Sequence, residues 1–306
     1  MGLLTFLRLP APPNAVAGRP QNKFYRFFGF SDDEKRENRS VSSPYIKPVY
    51  LGFMRLVLGI YMLTSFWVHF VILASQKSRF LKPQAYKLFG DINFHSYLGL
   101  TAYFLFSAYH TLSYASKKRN PLSSWPKSLQ LLHRILQSTV LSLPLFSTIV
   151  YIYWTLPAQP SWHTKLYQRW SVITFYMLNS VFSLCELTFS ASRPRPWSHL
   201  IVVVMLLGFY LAFHSILLAA RKGRVWIYTV LKFSLTINKG WKSVVHVAGI
   251  LFLAIASFCI MQLLLWVKCR FLGGLRLPST ETTDTELAKV TVGDEDTESQ
   301  GPTISH

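Results

Sequence analysis

Tyr176, Asn179, Ser183 and Glu186 recur at three- and four-residue steps, which puts a phenol, an amide, a hydroxyl and a carboxylate on one face of a helix. The stretch that carries them, Trp170 to Ser190, is apolar and long enough to cross a bilayer. Glu186 is the one acidic residue between Ile92 and Thr280. A carboxylate at membrane depth is costly, so it marks a buried partner or a functional group. Two readings stay open: an ion pair with Arg55, Arg134 or a protonated His110, or a proton carrier or general acid/base.

A second polar stripe runs along residues 95–116, where Ser96, Tyr103, Ser107, His110 and Tyr114 follow Asn93 and His95. Both stripes are expected to point inward, either lining one shared cavity or joining helices by hydrogen bonds. Eight of the nine histidines fall in the apolar region. Alternating helix direction places His110, His133 and His199 at one depth with Arg55, Arg134 and Glu186. His69, His95, His214 and His246 fall at the other, with Asn93, Ser96 and Tyr176. Two histidine layers also admit a bis-His haem protein, although no fixed spacing repeats. Cys185, Cys259 and Cys269 are odd in number and match no disulfide or zinc pattern, so no cofactor and no metal are expected.

Six apolar runs must hold these groups, at about 50–74, 95–116, 130–155, 170–190, 199–220 and 244–268. The fold class implied is all-α: a polytopic membrane bundle of about six transmembrane helices with disordered N- and C-terminal tails. Residues 1–47 form a basic, mixed-charge tail, 48–271 the membrane domain, and 272–306 an acidic Ser/Thr-rich tail too poor in large apolar side chains to order itself. Between residues 48 and 275 stand 22 Lys and Arg against two acids, Asp91 and Glu186. These cations lie between apolar runs and not on a soluble face, so anionic lipid headgroups are the expected partners and nucleic acid is not. With six spans, 18 basic residues share the side of the tails and 12 lie opposite, which favours cytosolic termini.

Leu178-Asn179-Ser180-Val181-Phe182-Ser183-Leu184-Cys185-Glu186-Leu187, with Ser192-Arg193-Pro194-Arg195-Pro196-Trp197-Ser198-His199-Leu200, resembles the signature of the androgen-inducible integral membrane protein family, in particular its fungal-type branch. His110-Thr111-Leu112-Ser113-Tyr114-Ala115 is similar to that branch too, and the resemblance covers about residues 48–235. It implies six spans in the endoplasmic reticulum or another endomembrane, and hydrolysis of fatty-acid esters of hydroxy fatty acids. The family's threonine nucleophile and assisting histidine correspond here to Asn93 and Tyr176. Asn cannot become an alkoxide, and a phenol with a reference pKa of about 10 is a poor base at neutral pH. Ser96, with His69 or His214 as base, offers a relocated nucleophile, and Glu186 a further acid/base. Asn179, Ser183 and His110 are expected to line the lipid cavity. The alternative is a protein that binds or carries lipid without catalysis.

Overall fold

The computed structural model describes residues 23–29, 39–75, 90–118, 120–156, 166–220 and 240–272, and among them all regular structure is helical. The elements are α1 (Lys23–Phe27), α2 (Pro48–Ser75), α3 (Ile92–Lys117), α4 (Lys127–Val150), α5 (Leu166–Val172), α6 (Leu178–Phe189), α7 (Ser198–Ala220) and α8 (Gly240–Leu272). Wider π-helical turns extend α4 through Tyr151–Thr155 and join α5 to α6 through Ile173–Met177. Each of the six apolar runs is therefore helical.

Four helical stretches are long and apolar enough to cross a membrane: Pro48–Ser75, Lys127–Tyr153, Leu166–Phe189 and Val247–Phe271. This is compatible with an integral membrane protein. In α7 the qualifying apolar part is shorter, Ser198–Phe213. Helix α3 is as long as the others, but its hydroxyl, amide and imidazole groups dilute its apolarity.

The side chains are distributed inside-out relative to a water-soluble bundle. Tyr50, Val57, Trp67, Phe209 and Phe252 are all more than half exposed. Arg55, Thr111, Ser147, Asn179 and Glu186 are wholly buried. In hydrocarbon, outward apolar faces cost nothing, whereas each polar group must find a partner inside. The polar stripes point inward as expected: Ser96, Tyr103, Ser107 and His110 on α3, and Asn179, Ser183 and Glu186 on α6, are all buried.

Helices α2 and α3 approach closely because Gly52 and Gly59 lie between them. A Cβ at Gly52 would stand 2.7 Å from Leu112 Cδ2, and one at Gly59 2.8 Å from Leu105 Cδ2. Helix α4 contains Pro144. Proline removes a backbone donor, and around it α6 supplies hydroxyls: Ser183 donates to the Leu141 carbonyl and Ser180 to that of Pro144, each at 2.9 Å. Thr148 donates back to the Tyr176 carbonyl.

Part of the N-terminal tail departs from the expected disorder. Arg55 Nη1 donates to the Ser40 carbonyl at 3.1 Å, Ala191 N to that of Ser42 at 3.0 Å, and Val41 is 1% exposed. Residues 27–29 are held too, because the Phe27 and Gly29 carbonyls accept from Ser198 Oγ and Arg134 Nη1. Gly29 has φ +67, and a Cβ there would fall 2.1 Å from Pro196 Cγ, so only glycine fits. Composition missed this docking because it uses backbone carbonyls and one small apolar side chain. The C-terminal tail beyond 272 lies outside the described residues.

Candidate functional site

The polar faces of α3 and α6, with the π-turn before α6, meet in three rungs along the bundle. At one end Tyr176 Oη donates to Asp91 Oδ2 at 2.8 Å. One turn deeper, Asn179 Nδ2 donates to Ser96 Oγ at 3.2 Å. At the far end Tyr103 Oη donates to Glu186 Oε1 at 2.8 Å. The shared lining is thus a ladder of direct hydrogen bonds, with Ser183 turned to α4 instead. Spacing of three and four residues on both helices makes the ladder possible, because the polar groups recur at the rise of a helical turn.

The Glu186 end is an ion pair. Arg55 grips the carboxylate with both arms, Nε to Oε2 at 3.0 Å and Nη2 to Oε1 at 2.5 Å, and both residues are 0% exposed. Nη1 donates to Thr111 Oγ1 at 2.5 Å as well as to the Ser40 carbonyl. Of the three partners open from sequence, Arg55 is the one the fold selects. A bidentate guanidinium satisfies both carboxylate oxygens and removes the charge that a free proton carrier needs. Glu186 therefore holds α2, α3 and α6 together.

The Asp91 end is organised differently. Asp91 caps α3: its Oδ1 accepts from Asn93 N at 2.9 Å and Asn93 Nδ2 at 3.0 Å, while Oδ2 takes the Tyr176 phenol. The neighbouring Gly90 carbonyl accepts from Tyr210 Oη at 2.6 Å. The Tyr176 ring stacks on Tyr151 with centroids 3.7 Å apart, so the two π-helical turns face each other here. Such turns frequently mark functional sites. The two positions that the family resemblance assigns to nucleophile and base thus meet on one carboxylate. Sequence reasoning did not nominate Asp91 itself. The available signal was its isolation as the only other acid of the apolar region, placed just before α3 where a cap belongs.

The relocated Ser–His pair is not assembled among the described residues. Ser96 Oγ, 5% exposed, meets the Asn179 amide. His69 Nδ1 meets Tyr167 Oη at 2.7 Å and its ring packs on Phe175. The side chains of His214 and His246 lie outside the described residues. His95 Nδ1 turns to the Asp91 carbonyl of its own helix at 2.9 Å, and His199 Nδ1 to Ser138 Oγ at 2.6 Å.

His110 and His133 do meet, with ring centroids 5.6 Å apart in a T-shaped contact. Rings in direct contact leave no layer for a porphyrin between them. Among the described residues no three His, Cys, Asp or Glu side chains gather as a metal site.

Between α6 and α7, the loop carrying Arg195 is clamped. Gln262 on α8 accepts from Arg195 N at 2.9 Å and donates to its carbonyl at 2.8 Å. The Arg195 guanidinium donates through Nη2 to Gln137 Oε1, and Gln137 Nε2 donates to Ser192 Oγ at 2.9 Å. Lys268 caps the end of α6 through the Leu187 and Ser190 carbonyls. Burial pushes the Arg195 guanidinium below its ordinary pKa.

Fold and site together define a helical protein with four helices long and apolar enough to cross a membrane and a hydrogen-bonded polar interior. No family model, curated protein or solved structure matches the chain.

Proposed function

We propose that the chain is a six-span endomembrane protein of the androgen-inducible type that binds a membrane lipid at the Asp91 end of its bundle without cleaving it. Both termini face the cytosol, and anionic lipid headgroups balance its basic loops. The observation that carries the reading is that Asn93 and Tyr176, standing where the family resemblance places nucleophile and base, both donate to Asp91. Asn93 carries no hydroxyl that could become an alkoxide, and the Tyr176 phenol is engaged as a donor to Asp91 and is not placed to take a proton from a nucleophile. What remains is a set of polar groups able to orient a lipid's ester or hydroxyl oxygen at the mouth of an apolar bundle.

Membranes containing the full chain, treated with a fluorophosphonate probe and mapped by peptide mass, test this. The expected result is no specific labelling, beside a catalytically active relative that labels, together with capture of a photoreactive acyl ester that Asp91→Asn weakens. Labelling at Ser96 that disappears in Ser96→Ala overturns the reading and makes the protein a hydrolase with a relocated serine. Ser96 is the hydroxyl for that outcome, because Asn179 already orients it one turn from Asn93.

A further inference from the structure

At the end of the bundle opposite Asp91, among the described residues, the His110 imidazole and the Arg195 Nε are buried without partners, as are the hydroxyls of Ser42 and Ser107. Neither ring nitrogen of His110 meets a hydrogen-bond partner, although the residue is 2% exposed. The Nε of Arg195 is likewise buried and unsatisfied. Leaving a buried donor unmade costs its desolvation, and more for a charged group, so the imidazole and the guanidinium together call for an acceptor.

His133 links these two donors. His110 lies against His133 at 5.6 Å, and His133 lies over Tyr103 at 5.9 Å in a near-parallel stack. Gln137, which anchors Arg195, is four residues beyond His133 and on the same face of α4. Arg195 is within electrostatic reach of both His133 and Tyr103.

The charges settle what the acceptor is. Glu186 is saturated by Arg55 and Tyr103. Among the described residues the buried Arg195 guanidinium donates to a neutral amide and meets no carboxylate, while Arg134 within its electrostatic reach is only half-buried, so the buried positive charge is that of Arg195. Two imidazoles add donors without adding fixed charge. A singly charged oxyanion balances this site, whereas a doubly charged phosphate monoester would leave a buried negative charge. The surroundings settle what the anion is attached to. Phe106 and Tyr109 beside His110, and Leu129 and Leu132 beside His133, are exposed apolar side chains. An acyl chain can lie along them.

We propose that Arg195 and His110, with His133 beside them, receive the carboxylate of a fatty acid or other singly charged membrane amphiphile. This site is separate from the Asp91 cluster and does not rest on the lipid reading of that end.

The test is binding of a fluorescent long-chain fatty acid to the full chain in nanodiscs of neutral lipid, with acetate, inorganic phosphate and phosphatidic acid as competitors. Saturable binding is expected, weakened about tenfold or more by Arg195→Gln, the loss of one charge-assisted hydrogen bond. His110→Phe is expected to weaken it less. Acetate and inorganic phosphate should not compete. Binding unchanged in a folded Arg195→Gln protein overturns the proposal. Phosphatidic acid competing more strongly than the fatty acid overturns the carboxylate assignment, and competition by acetate or phosphate at equal concentration overturns the amphiphile. Should Arg195→Gln not fold, a fatty acid with a diazirine beside its carboxyl, photolysed on the wild-type protein, decides the matter. Labels on α3, α4 or residues 190–197 support the site, and labels elsewhere or none sink it.

Discussion

The bundle holds one carboxylate near each end, and the two are stabilised by opposite means. Glu186 is wholly buried and meets a formal positive charge in bidentate geometry, with a phenol as third donor. Asp91 is only partly buried, and it accepts from a backbone amide, a side-chain amide and a phenol, all neutral. It also sits at the start of α3, where the helix's exposed N–H groups favour a negative charge. The pair at Glu186 cannot lose one member without stranding the other in a low dielectric. Each of the three neutral donors at Asp91 can be exchanged for another at modest cost. That difference fits Glu186 to construction and is what the proposed ligand contact at Asp91 builds on.

Breaking the Glu186 end is expected to have the largest effect. Glu186→Gln leaves Arg55 buried without its counter-charge, a loss of about 3–5 kcal/mol by analogy with other broken buried pairs. Accumulation in membranes should fall steeply. Normal accumulation with a lost activity would assign Glu186 a chemical role and erase the contrast drawn above. Replacing Arg55 and Glu186 together by Leu sharpens the point: accumulation should partly return, because apolar replacement of a whole buried pair is often tolerated.

Helix approach comes next. Gly59→Ala must displace Leu105, which packs 2.8 Å from the added methyl, and overpacking of this kind costs about 1–3 kcal/mol. A lower detergent-solubilised melting temperature is the readout. Asp91→Asn, which loses charge-assisted bonds at a partly buried cap, is expected to cost about 1–2 kcal/mol while leaving the fold intact. A drop in accumulation as steep as that of Glu186→Gln would show that the two ends do not differ. Thr111→Val should have the smallest effect, roughly 0.6 kcal/mol, typical of an interhelical hydrogen bond inside a membrane bundle. Its signature is a slight loss of melting temperature with unchanged accumulation.

Much of this architecture was legible in the chain. The apolar runs from 50–74 to 244–268 all coincide with helices, because a run long enough to cross hydrocarbon has no other way to satisfy its backbone. The inward faces of α3 and α6 were legible from the three- and four-residue spacing of their polar groups. The π-helical turns at Tyr151–Thr155 and Ile173–Met177 were not, because an extra residue in one turn leaves no mark in a hydropathy pattern. The docking of residues 27–29 and 39–43 was hidden for a related reason: carbonyls, which every residue carries, make most of those bonds.

Sequence by itself determined that Glu186 needed a partner, since an isolated charge in an apolar helix is too costly to leave bare. It also determined that the polar groups of two helices would face inward. Only the tertiary structure decided that the partner is Arg55 and not Arg134 or His110. It alone brought Asn93 and Tyr176 onto Asp91, and left Arg195 and His110 with donors to spare. The physical reason is that charge and periodicity are properties of one helix, whereas hydrogen-bond pairing depends on the rotation and axial offset of two. Those offsets are set by where Gly52 and Gly59 let backbones approach and where π-turns shift the register.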